Sequence, residues 1–131
     1  MRLPEYDEEY LQQKGYAWDL LADPPASPTG GLLIIHHYLL DAAVYDRETC
    51  DLMIRTPPGY NVAQLDMFYA DPEIRLKAGG YPNRADQFEM HGGRRWQRFS
   101  RHLAVWRPGV DTVRTMLSFA DRELKGQPGA L

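Results

Sequence analysis

Three places in this 131-residue chain hold side chains able to do covalent or metal chemistry. The first is Cys50, the one cysteine. A reactive thiol needs an electropositive, partly exposed pocket. Cys50 opens an alternating segment with only Arg47 as a nearby cation, and it reads as a small buried strand residue. The second is the pair His36 and His37. On a strand, neighbouring side chains point to opposite faces, so these imidazoles cannot share one metal. No Cys or His spacing matches a zinc site, and neither a metal nor a cofactor is expected.

The third place is the run His91-Gly92-Gly93-Arg94-Arg95-Trp96-Gln97-Arg98-Phe99-Ser100-Arg101-His102. Ser100 stands beside Arg101 and two residues before His102, which supplies a hydroxyl, a cation able to steady an oxyanion and a base. On a strand Ser100 and His102 would share a face; on a helix they would not. Other readings of the run compete. It can be a solvated loop whose Trp96 and Phe99 plug the core, or an arginine cluster paired with the acidic N-terminus. Arginines interleaved with aromatics also suit single-stranded nucleic acid.

Charge weighs against that last reading. The formal net charge is −3, so no global field draws the chain to nucleic acid or an anionic membrane. Of the 15 basic residues 12 are arginine, the side chain suited to fixed, planar contacts with carboxylates or phosphates. The longest apolar run, from Leu32 to Leu40, is broken by His36 and His37 and is too short to span a bilayer. The N-terminus is acidic with no apolar stretch behind it, unlike a signal peptide. A cytoplasmic location follows, with no membrane partner. The length suits one domain over residues 1–131.

The elements that must position these residues follow from periodicity. Residues 5–14 suggest a short, weakly amphipathic helix stopped at Gly15. Tyr16 to Leu21 reads as a first strand and Asp23 to Gly31 as a loop. Leu32 to Leu40 reads as a strand covered on both faces. Cys50 to Thr56 alternates, with Leu52 and Ile54 on one face and Asp51, Met53 and Arg55 on the other. Pro57-Pro58-Gly59 ends it, and Leu65 to Ala70 adds a shorter strand. From Asp71 to Trp106 little periodicity is visible. A helix from about Val110 to Lys125 closes the chain, with Val110, Val113, Leu117, Ala120 and Leu124 on one stripe. This order predicts an α+β fold: an antiparallel four-stranded meander with a short N-terminal helix and a C-terminal helix.

Over roughly residues 16–125 the pattern resembles the ubiquitin-conjugating enzyme fold in its divergent bacterial branch. The resemblance is carried by four features in order: Asp51 to Thr56 running into Pro57-Pro58-Gly59-Tyr60, the segment Met67-Phe68-Tyr69, the tripeptide Tyr81-Pro82-Asn83, and Trp106-Arg107-Pro108-Gly109 before the last helix. The run from Trp96 to His102 is similar to the bacterial branch in particular. Asn61 stands where the family has proline, and Tyr81 where its tripeptide has histidine. The family's cysteine lies roughly eight residues after the tripeptide and roughly eight before the tryptophan. Counting forward from Asn83 reaches His91, counting back from Trp106 reaches Arg98, and the two anchors disagree by seven residues. Neither count meets a cysteine.

The resemblance implies a ubiquitin-conjugating-like component of a bacterial modification system, an acyl carrier or transferase without the usual cysteine. Its partners would be a ubiquitin-like protein and the adenylating activating enzyme of the same operon, and the family's gene neighbourhoods imply antiphage defence as a setting. Two classes of function are expected. In one, Ser100 takes the modifier C-terminus as an oxyester, with His102 or His91 as base and Arg101 or Asn83 stabilising charge. In the other, the chain is a catalytically inactive variant that binds the ubiquitin-like protein or the activating enzyme. An exposed Ser100 within reach of an imidazole distinguishes the first.

Overall fold

The structure is a computed structural model that describes residues 2–23 and 27–126. Among the described residues it is α+β, with two helices and one antiparallel sheet. Helix α1 (Glu5–Gln13) is followed by β1 (Ala17–Asp23), β2 (Ser27–Leu39), β3 (Thr49–Thr56) and β4 (Phe68–Asp71). Two further strands, β5 (Gln87–His91) and β6 (Arg94–Phe99), precede the closing helix α2 (Val113–Gly126). The sheet is six-stranded in the order β1-β2-β3-β4-β6-β5, so the expected four-stranded meander is corrected to six strands. Ser27 to Gly31, expected in a loop, belong to β2; residues 24–26 of that loop and Pro128 beyond α2 lie outside the described residues.

In β2, β3 and β4 successive aliphatic and aromatic side chains point to alternate faces of the sheet. Leu33, Ile35, Leu52, Ile54, Phe68 and Phe99 pack into the main core together with Leu11 of α1 and Val113, Leu117, Ala120 and Leu124 of α2. Leu32, Ile34, Met53, Tyr69 and Trp96 bury into a second cluster on the opposite face. This explains the apolar run Leu32–Ile35 of β2, where both faces are covered; beyond it His37 and Leu39 are exposed, so the double cover expected as far as Leu40 stops at Ile35. The opposite face is covered because the β5–β6 hairpin curls over it. Its two-residue turn has φ +60 at Gly92 and +73 at Gly93, and a Cβ built on Gly92 would come within 3.0 Å of Leu32 Cδ1.

The ends of α1 and α2 are tied through Tyr60. Its hydroxyl donates to Asp7 Oδ2 at 2.6 Å and accepts from the Val113 N–H at 2.7 Å, satisfying an amide at the start of α2. Asn61 organises the approach to that helix. Its carbonyl accepts from the Trp106 indole at 3.1 Å and from the Gly109 N–H at 3.2 Å, and its side-chain amide donates to the Asp111 carbonyl at 2.8 Å. Trp106 thereby positions the last helix. Val110, placed on the helical stripe from the sequence, precedes α2 and is exposed.

Candidate functional site

The irregular segment of the sequence resolves into two parts, and each owes its shape to partners distant in the chain. Residues 72–86 are pinned by Gln97, a fully buried amide on β6. Its oxygen accepts from the Ile74 N–H at 2.7 Å, while its nitrogen donates to the carbonyls of Ile74 at 2.9 Å and Ala85 at 2.8 Å. The second part is the hairpin itself, whose arginines lie against carboxylates and aromatic rings, Arg95 while still exposed. Arg94 bridges Asp51 at 2.8 Å and Asp71, and stacks over Trp96. Arg95 lies over Phe88. Neither pairs with the acidic N-terminus, where Glu8 takes Arg2 instead. Trp96 and Phe99 are both buried, Trp96 in the second cluster and Phe99 in the main core.

Ser100 follows β6 directly and is half-buried. Its N–H donates to the Arg84 carbonyl at 3.0 Å, and its Oγ accepts from Arg98 Nε at 2.8 Å. The same guanidinium donates to Glu89 Oε2 at 2.8 Å, and Glu89 Oε1 pairs with His91 Nε2 at 2.8 Å. The Tyr69 hydroxyl also reaches Glu89, and its ring meets His91 edge-on at 5.3 Å. Burial pushes the Glu89 carboxyl upward, but its bonds to His91, Arg98 and Tyr69 outweigh that and hold it below its ordinary range. Burial, followed by the charge of Glu89, drives the Tyr69 phenol up to about 12. His91 and Arg98, the two positions reached by counting from opposite anchors, are thus joined through one carboxylate.

The other expected site residues lie apart from this cluster. His102 is exposed, and its Nδ1 pairs with Asp66 Oδ1 at 2.6 Å. Arg101 is 6% exposed and donates to the Asn83 carbonyl at 2.7 and 3.1 Å and to the Glu123 carbonyl at 3.1 Å. Burial lowers its pKa, opposed by the nearby Glu123 carboxylate. Arg101 and Asn83 are therefore brought together, as a clamp between the tripeptide and the end of α2. No imidazole bonds to Ser100 among the described residues. Cys50 is 3% exposed, and burial, with Asp51 adding to it, pushes its thiol up to about 12.

The sequence that builds this site has a family match. The model of prokaryotic E2 family E matches residues 3–127. The chain belongs to that family. No curated protein and no solved structure matches it. As an E2-like chain it has a ubiquitin-conjugating-like role. No helix among the described residues is long and apolar enough to cross a membrane. Among them, too, no group of three or more His, Cys, Asp or Glu side chains could hold a metal ion. His36, for one, is taken by Asp19 at 2.7 Å and Asp51 at 3.3 Å.

Sequence reasoning missed Glu89, Arg98 and Tyr69 as members of the Ser100 surroundings. One signal was available. A Gly-Gly pair with His91 before it and Arg94 after it is a hairpin turn, and it pairs Glu89 with Trp96 and Gln87 with Arg98.

Proposed function

We propose that this E2-like chain works in a bacterial ubiquitin-like modification system by docking the ubiquitin-like protein or its activating enzyme, without carrying the modifier itself. The observation that supports this is the state of its two candidate nucleophiles. An acyl acceptor must be exposed and in contact with a base. The Cys50 thiol is buried with a raised pKa, and the Ser100 hydroxyl accepts from a guanidinium rather than donating to an imidazole. Among the described residues, neither candidate on this E2-like scaffold is an armed acceptor.

One observation favours the carrier reading instead. Arg98 lies where a cation would steady an alkoxide on Ser100, with Glu89 and His91 behind it. In that reading Ser100 Oγ bonds to the modifier's terminal carbonyl carbon, the activating enzyme's thiolate leaves, and the hydroxyl proton passes to solvent or a nearby base, the roles expected of His102 and His91. Arg101 and Asn83 would act through the clamp they form.

A single intact-mass experiment separates the two. The chain is incubated with its genomic-neighbour activating enzyme, ubiquitin-like protein, ATP and magnesium, and the reaction is repeated with Ser100→Ala. The docking reading predicts no adduct with either protein while binding of a partner persists. An adduct that resists thiol reductant, is cleaved by mild alkali and vanishes in the variant establishes an oxyester carrier.

A further inference from the structure

The sheet ends at β5, and that edge is open. The Gly92–Gly93 turn makes His91 and Arg94 a hydrogen-bonded pair, and the antiparallel pattern alternates from there. Glu89 and Gln87 therefore commit their backbone groups to β6, whereas the N–H and C=O of Phe88 and Met90 point away from the sheet. No turn, loop or cap among the described residues bonds to them. Edges of this kind are usually blunted by proline or lysine. Gln87–His91 contains neither, and Met90 is 63% exposed.

The direction of this edge narrows what fits it. β5 runs from Gln87 to His91, so an added antiparallel strand would run the other way and finish beside Gln87. Arg84 stands at that end. It is exposed, and its guanidinium has no ion pair or hydrogen bond among the described residues. Its backbone is fixed at φ +56, a conformation uncommon outside glycine, with its carbonyl taken by the Ser100 N–H. An incoming strand would thus end on the side of Arg84, whose carbonyl is held by Ser100 and whose charge also reaches Arg101. Asp86 lies exposed on the same approach and disfavours acidic side chains there, as well as any terminal carboxylate that does not reach Arg84.

We propose that β5 accepts the extended C-terminal tail of a partner protein as an added antiparallel strand, with its free carboxylate on Arg84. Main-chain bonds to Phe88 and Met90 supply affinity, and the carboxylate sets the register. The proposal rests on the docking reading above and names the part of the partner that is taken.

The probe is an acetylated hexapeptide of alternating threonine and valine with a free carboxylate, titrated into the isotope-labelled full chain and followed by amide chemical shifts. The expected result is shifts at Phe88, Met90 and Arg84, and about tenfold weaker binding when the peptide is C-terminally amidated. Arg84→Gln should erase the difference between acid and amide. Met90→Pro, which removes an outward N–H and no ladder bond, should weaken both. Shifts confined to β1 or α1, equal affinity for acid and amide, or no shift at millimolar peptide would overturn the proposal. So would β5 shifts that depend on protein concentration without peptide, which would mean pairing of two copies. No modification component is present in this test, so its failure leaves the adduct experiment intact.

Discussion

Arg98 Nε lies 2.8 Å from Ser100 Oγ, and the same guanidinium holds Glu89. The hydroxyl that stands nearest the family's expected nucleophile position is an acceptor in a cation–carboxylate network. Removing it alone breaks one half-buried bond, so Ser100→Ala should cost under ~1 kcal/mol in urea unfolding. Arg98→Ala also leaves Glu89 without its cation, and should cost about 1–2 kcal/mol. Equal losses would mean that the two bonds of Arg98 do not act together.

Gln97 should be the most sensitive polar residue of the hairpin. Gln97→Leu keeps the volume roughly constant but strands the Ile74 N–H and the carbonyls of Ile74 and Ala85 away from water. A loss of about 3 kcal/mol or more is expected in denaturant, with hydrogen exchange at Ile74 accelerating before the sheet opens.

The turn glycines should separate by contact rather than by backbone. Both have positive φ, so alanine at either position costs about 1 kcal/mol from conformation. At Gly92 the new Cβ also meets Leu32 Cδ1 at 3.0 Å, whereas at Gly93 it meets nothing within 4 Å. Gly92→Ala should therefore be the less stable variant, by about a further 1 kcal/mol. Equal thermal midpoints would mean that the hairpin does not lie on β2.

Cys50 should not react with iodoacetamide or a disulfide reagent in the native protein at pH 8. Its thiol is 3% exposed and raised to about 12, so the thiolate is scarce and unreachable. Modification should appear only across the unfolding transition. Native labelling at the rate of a free thiol would contradict this burial.

Asp111 predicts an acid-side loss of stability. It accepts from the Arg107 guanidinium at 2.8 Å, the Arg107 N–H at 2.7 Å and the Thr115 hydroxyl at 3.2 Å, and the Arg107 side chain is the main reason its carboxyl falls to about 2 from an ordinary 3.8. A depressed carboxyl stabilises the folded state fully above the unfolded value, and that share is lost as pH falls from about 3.8 through about 2. Asp111→Asn should flatten the stability profile across this window. An unchanged slope would remove Asp111 from the acid transition.

The elements whose periodicity is carried by their own side chains were legible in the chain. The amphipathic stripe of α2, the alternation of Cys50 to Thr56 and the doubly covered run in β2 each state their burial locally, because hydrophobic spacing repeats with the backbone. The α+β class and the E2-like resemblance followed from their order. The β5–β6 hairpin did not show, because its strands carry Arg94, Arg95 and Arg98, which spoil the apolar alternation. Those charges are met across the fold by Asp51, Asp71, Glu89, Phe88 and Trp96. The candidate site divides in the same way. Ser100, His91, Arg101, His102 and Asn83 could be picked by type and spacing, but adjacency in sequence does not decide which groups touch. Antiparallel pairing placed Arg98 and Glu89 on one face and gave Ser100 a guanidinium, while loop geometry sent His102 to Asp66 and Arg101 into the end of α2. Residue types determined what chemistry was available here. Packing across the sheet decided which of it was assembled, since a hydrogen bond depends on distance and direction, and only the folded chain sets those.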